Sequence, residues 1–119
     1  IEMKSVLIVD DEKDIGMLMS LILKSLGFNV NLATNSLSAS SLLENKQFDY
    51  IFLDLNLGNS NGLDLIPKIR EEQRGAVIHV ISAYGDSATR QKVKDAGVLN
   101  FIQKPFKRKE IVEAVDKVS

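Results

Sequence analysis

Five short apolar runs, at residues 5–9, 28–33, 50–53, 76–81 and 98–102, alternate along this 119-residue chain with stretches of helical periodicity. Each run is too short for a helix, and most are rich in β-branched or aromatic residues, as buried strands are. Strict alternation of strand and helix means βαβ units, right-handed crossovers and an α/β fold with a parallel sheet. The third run, Tyr50-Ile51-Phe52-Leu53, is almost wholly apolar and reads as a strand covered on both faces. Asp54 stands at its end, and Gly58, Asn59, Asn61 and Gly62 turn the chain after it. A carboxylate at the tip of a buried strand is where open α/β sheets put their ligand chemistry. Asp is also a common turn and cap residue, so at this point both readings of Asp54 stand.

The intervening stretches supply the helices. Residues 13–26 carry Ile15, Leu18, Met19, Ile22 and Leu26 on one stripe, and Gly27 closes the segment. Thr34 or Asn35 caps a second, Ser-rich helix to about residue 45, with Leu37, Leu42 and Leu43 as its buried side. The second strand, interrupted by Asn29 and Asn31, is expected at a sheet edge. A third helix over 62–72 turns Leu63, Ile66 and Ile69 inward; Pro67 either sits in its first turn or kinks it. Asp86 or Ser87 caps a fourth helix to residue 96, closed by Gly97. The last helix, 107–118, has Ile111, Val115 and Val118 on one side.

Composition narrows the chemistry. There is no Cys, so disulfides, thiolate metal sites and Cys nucleophiles are out, and a lone His79 cannot build a histidine metal cluster. No apolar run approaches a membrane span and no signal peptide is visible, so the expected place is the cytoplasm, away from the membrane. Met3-Lys4 reads as a natural start, with Ile1 and Glu2 as residues added ahead of it. Residues 1–85 hold 7 Lys/Arg and 11 Asp/Glu, a balance of −4, and residues 86–119 hold 8 and 5, a balance of +3. The basic end suggests a partner-facing surface or a merely solvated one. Direct nucleic-acid binding is not expected, because there is no basic stripe and no helix-turn-helix pattern. One domain spans residues 1–119.

In a parallel sheet all C-terminal strand ends share one edge, so the residues just past them converge. The first strand delivers Asp10, Asp11 and Glu12; the third Asp54 and Asn56; the fourth Ser82; the fifth Lys104. Carboxylates about 4–5 Å apart repel by roughly 3–4 kcal/mol per pair at an effective dielectric near 20. Such a cluster protonates, stays hydrated or holds a cation. Oxygen ligands select a hard ion, and magnesium fits best, since it takes one or two carboxylates and keeps places for phosphate oxygens. Ser82 and Lys104 add a hydroxyl and an ammonium for an anion. Together these are the parts for phosphoryl transfer onto Asp54.

These residues resemble the receiver domain of two-component response regulators over essentially the whole chain. The matching motifs are Val9-Asp10-Asp11-Glu12, Leu53-Asp54-Leu55-Asn56-Leu57 with Gly62 eight residues beyond Asp54, Ile81-Ser82-Ala83-Tyr84-Gly85, and Lys104-Pro105-Phe106. The resemblance implies a flavodoxin-like fold: a five-stranded parallel sheet in the order 2-1-3-4-5, flanked by five helices, with a cis Lys104–Pro105 bond. It implies that Asp54 is the phosphoacceptor, Asp11 a direct magnesium ligand, Asp10 a ligand mainly through water, and Asn56 a ligand through its backbone carbonyl. Ser82 and Lys104 would hold the phosphoryl group, and Phe101 falls at the family's switch aromatic. The donor would be a sensor histidine kinase or a histidine phosphotransfer protein. The face made by the fourth helix, fifth strand and fifth helix would change on phosphorylation, toward an output partner or a receiver homodimer. Such a domain is no enzyme beyond catalysing its own phosphotransfer and dephosphorylation. Two departures stand out. Gly58 replaces a common Pro, which suggests a looser loop, and Ser82 replaces the commoner Thr while keeping the hydroxyl.

Other readings fit less well. A haloacid-dehalogenase-type phosphatase needs a second acid where Asn56 stands. A flavin or nucleotide binder needs a Gly-rich phosphate loop where Asp10-Asp11-Glu12 would repel phosphate. A receiver that binds partners without phosphorylation is disfavoured because every site group is present. Of the remaining residues, Glu12 reads as a helix-start acid, His79 as a packed strand residue and Tyr84 as a loop residue flanking the site. Lys107, Arg108 and Lys109 read as a solvated helix start.

Overall fold

The computed structural model describes residues 3–116. Ile1, Glu2 and Val118, named above, lie outside the described residues. The sheet strands are β1 (Ser5–Val9), β2 (Asn29–Ala33), β3 (Tyr50–Asp54), β4 (Val77–Ser82) and β5 (Asn100–Gln103). The helices are α1 (Lys13–Ser25), α2 (Ser36–Asn45), α3 (Ile66–Glu72), α4 (Ser87–Asp95) and α5 (Arg108–Asp116). All sheet pairs are parallel and the order is β2-β1-β3-β4-β5, with β2 at an edge as its two asparagines suggested.

The alternation of side chains along each strand builds two cores. Leu7, Val9, Ile51, Leu53 and Val80 face α2, α3 and α4, packing on Ala39, Leu43, Ile66, Ile69 and Val93. Val6, Ile8, Tyr50, Phe52 and Ile81 face α1 and α5, packing on Met19, Leu23, Ile111 and Val115. Every residue of β3 is buried, as a central strand covered on both sides must be. Each buried large apolar side chain contributes roughly 1.5–3 kcal/mol relative to exposure. The Tyr50 hydroxyl donates to the carbonyl of Val115 at 3.0 Å, so the one polar atom of that ring is satisfied inside the core. His79 is buried and stacked on Phe52 at 5.0 Å between ring centroids, a packed strand residue as expected.

Several helix faces differ from the expected ones. Leu37 is 83% exposed, because the inward face of α2 is Ala39 and Leu43, four residues apart. Leu37 lies two residues before Ala39, about 200° around the helix. On α1 the buried stripe is Met19, Ile22 and Leu23, while Leu18 and Leu26 are exposed. Asn35 caps α2 by accepting the Ser38 amide at 2.8 Å, and Asp86 caps α4 by accepting the Thr89 amide at 3.1 Å. The third helix begins later than its sequence suggested. A 3-10 turn over Gly62–Leu65 leads into α3, and Pro67 sits in the first turn, where its missing N–H costs nothing. β5 starts at Asn100, so Val98 belongs to the turn after α4, where its amide bonds the Val93 carbonyl at 3.2 Å. α5 begins at Arg108.

The segment after β3 is a paired ribbon, Asn56–Leu57 antiparallel to Ser60–Asn61, where a looser loop was expected. Gly58 takes φ +70° at the first central position of its two-residue turn. Glycine adopts that angle without the clash of a Cβ, and the turn closes.

Candidate functional site

The C-terminal ends of β1, β3, β4 and β5 meet at one edge of the sheet. β1 ends at Val9, and the amide of Asp10 continues its ladder to the carbonyl of Ala33 at 3.0 Å. This holds the Asp10 side chain in the interior, 1% exposed, where Oδ1 accepts the Glu12 amide at 2.9 Å. Asp54 closes β3 at 4% exposure, and its Oδ1 accepts the Asn56 amide at 3.0 Å. Gly62 makes room for this turn. Its amide donates to the Leu55 carbonyl at 2.7 Å, and a Cβ there would collide with the backbone oxygen of Asp54. The glycine eight residues beyond the acid is thus a close-approach glycine.

Ser82, the last residue of β4, is buried, and its Oγ accepts the Tyr84 amide at 3.0 Å. Its carbonyl accepts the amide of Lys104 at 2.8 Å, which fixes Lys104 just past β5. The Lys104–Pro105 bond is cis, as expected. From there the Lys104 ammonium, with its side chain 10% exposed, reaches Asp54 Oδ2 at 2.9 Å, Asp10 Oδ2 at 3.0 Å and Glu12 Oε1 at 3.0 Å. Burial works to lower its pKa, but the hydrogen bonds to Asp54 and Glu12 and the contact with Asp10 outweigh it and raise it above the ordinary lysine range. Burial pushes the Asp10 carboxyl up to about 6, with the charge of Asp54 adding; the Glu12 amide and Lys104 hold it down in part.

Asp10, Asp11, Glu12 and Asp54 each bring a carboxylate oxygen within 4.8 Å of the others. Four such groups against one ammonium leave the cluster strongly negative. Asp10 Oδ2 is buried, and the Lys104 ammonium 3.0 Å from it is already shared with Asp54 and Glu12. An all-oxygen donor set with more carboxylates than one ammonium can neutralise fits a hard divalent cation. Asn56 stands at the first position of the ribbon, paired with Asn61. Phe101 lies one strand over, paired with Val80 and half-buried against the core of the α2–α4 face. The expected site residues Asp10, Asp11, Asp54 and Lys104 are thus in one cluster, with Ser82 and Asn56 on its rim and Phe101 apart from it.

Two features were not legible in the sequence. Glu12 stands at the N-cap of α1 but makes no side-chain cap; its carboxylate goes to Lys104, 92 residues away. No local pattern signals a contact of that separation. An apolar groove of about 380 Å³ runs along the cluster between Ile15 and Leu18 of α1 and Ala83, Pro105 and Phe106. A larger cavity, of about 590 Å³ around Ser5, Phe48 and Gly75, lies at the opposite end of the strands and gathers none of these groups.

The chain is similar to known proteins. The family model of the response regulator receiver domain matches residues 6–116. The chemotaxis protein CheY of Thermotoga maritima is 36% identical over 117 residues, 98% of each chain. The transcriptional regulatory protein CusR of Escherichia coli K12 is 34% identical over 109 residues; the match covers 92% of this chain and 48% of that protein. Among solved structures, a response regulator from Burkholderia pseudomallei with a phosphorylated aspartic acid, calcium ion and citrate superposes with a TM-score of 0.88 at 32% identity. That match covers 93% of this chain and 65% of the other. No described helix is long and apolar enough to cross a membrane.

Proposed function

This chain belongs to the response regulator receiver domain family, whose members are phosphorylation-dependent switches, and we propose that it accepts its phosphoryl group on Asp54 with magnesium bound. Receiver domains take that group from histidine kinases or phosphotransfer proteins. One observation carries the assignment to Asp54. Its carboxylate ends the buried central strand, 2.9 Å from the Lys104 ammonium and within 4.8 Å of three further carboxylates. In the transfer, an Asp54 oxygen attacks phosphorus as the P–N bond to the donor histidine breaks, and the freed imidazole keeps the electron pair.

With Asp10 acting mainly through water, Asp11, Asp54 and the backbone carbonyl of Asn56 would hold the cation. When bound, it neutralises charge on the carboxylates and on the phosphoryl oxygens. Lys104 exchanges a carboxylate for a phosphoryl oxygen and remains the fixed positive charge of the site. The Ser82 hydroxyl donates a hydrogen bond to another phosphoryl oxygen, which draws the β4–α4 loop inward. Phe101 then turns into the space released, and the α4–β5–α5 face changes toward an output partner or a second receiver. The apolar groove beside Lys104 supports docking of the donor there, because a donor that reaches Asp54 must cover that rim. The domain, spanning the chain, works in the cytoplasm and catalyses no reaction but its own phosphotransfer and dephosphorylation.

The test is intact mass after incubation with acetyl phosphate, with magnesium or with excess chelator, beside Asp54→Ala. The expected result is a magnesium-dependent gain of one phosphoryl group that the variant lacks. A gain of equal size in Asp54→Ala would overturn the site assignment.

A further inference from the structure

Arg90, in the first turn of α4, makes three contacts that no part of the proposed transfer uses. Its guanidinium carbon stands 4.3 Å from the centre of the Phe101 ring. Its Nε donates to the carbonyl of Gly85 at 2.9 Å, and Nη2 reaches Gln103 Oε1 at 3.4 Å. One side chain therefore ties the β4–α4 loop, α4 and β5 together. Lys92 and Lys94 on the same helix are exposed, so solubility of this face does not depend on Arg90. No carboxylate pairs with Arg90 among the described residues. A planar guanidinium can stack on a ring and hydrogen-bond at its edge at the same time; an ammonium cannot do both. Gly85 lies directly against the end of the Gln103 side chain.

We propose that Arg90 is a positioning residue for the switch, holding Phe101 in its resting place and locking the β4–α4 loop to it. This rests on the reading of Phe101 as the moving aromatic. Gly85 lies three residues beyond Ser82, so a loop drawn toward a phosphoryl group has to carry the Gly85 carbonyl away from Arg90. A ring that turns inward has to leave the guanidinium. Arg90 thus makes the two motions one event and sets a threshold for it. A cation–π contact at an exposed site weights the resting state by about two- to fivefold. Loss of the contact raises the population of the switched conformation by the same factor, and a phosphodonor that reacts with that conformation reacts faster in proportion.

The experiment uses the full chain labelled with 4-fluorophenylalanine. It gives five ring signals, with that of Phe101 identified by its loss in Phe101→Leu. In the resting protein, without phosphodonor, Arg90→Ala should move the Phe101 signal and leave the other rings in place, and Arg90→Lys should restore it in part. In parallel, acetyl phosphate and magnesium should phosphorylate Arg90→Ala about two- to fivefold faster than wild type. That factor should collapse toward one when Phe101→Leu is also present. An unmoved Phe101 signal in Arg90→Ala, or the same factor with and without Phe101, overturns the proposal. A chain that gains no phosphoryl group in any variant counts against the Asp54 reading alone, because the resting ring signals still decide the role of Arg90.

Discussion

Replacing Asp10 with Asn should stabilise the cation-free protein at neutral pH while weakening its hold on a divalent ion. Asp10 is buried beside Asp54, and its carboxyl is pushed from 3.8 to about 6, chiefly by burial. At about 1.4 kcal/mol per pH unit, that difference is about 3 kcal/mol of native-state penalty on the ionised form. The figure is already net of the attraction of Lys104, which acts to lower the pKa. The sign follows from linkage. A folded pKa above the unfolded one gives stability that is fully present below about 3.8 and is lost as pH rises through about 6. Asn carries no charge at any pH and still offers Oδ1 to the Glu12 amide. Urea melts in chelator at pH 4.5, 6 and 7.5 should therefore show a gap between variant and wild type that is small at the lowest pH. It should widen to about 3 kcal/mol at the highest. Added magnesium should narrow the gap, since the wild type binds it more tightly. A variant less stable than wild type at pH 7.5, or a gap independent of pH, would refute the reasoning.

Gln73→Ala should cost about 2–4 kcal/mol in urea melts, because the buried Gln73 accepts the Phe48 amide at 2.9 Å and donates to the carbonyls of Leu43 and Lys46. A loss under about 1 kcal/mol would mean that water replaces these bonds. Gly62→Ala should slow phosphorylation by acetyl phosphate and lower the melting temperature, since the new Cβ displaces the backbone of Asp54. Rates and melting equal to wild type would contradict the close approach. Leu37→Gln should leave stability within about 0.5 kcal/mol, whereas a large loss would put Leu37 in the core.

Much of the fold was legible because each strand announces itself as an apolar run and each turn by Gly, Asn or Asp. The strand-end acids and Lys104 were legible for the same reason, since a parallel sheet sends all those ends to one edge. The errors have a common physical origin. Periodicity gives the faces of a helix about its own axis but not the face that the sheet covers. On α2 three leucines outweighed Ala39, which is fully buried. Contacts made by polar residues in turns carry no period at all. Gln73 is such a case, as are Glu12, whose position in the sequence suggests a helix-start acid, and Arg90, one basic residue in a basic helix.

Lys104 follows an edge strand of four residues, yet it grips groups at the start of α1 and the end of β3, 92 positions back at Glu12 and 50 at Asp54. As the chain leaves the ribosome, the acidic tips of β1 and β3 emerge first, with no ammonium among them. Their mutual repulsion opposes early consolidation of that edge, and relief comes only when β5 is laid alongside β4. Under the proposed function, responsiveness to a phosphodonor is consequently a property of the finished sheet: a nascent chain or one frayed at β5 carries Asp54 but not the charge that completes its pocket.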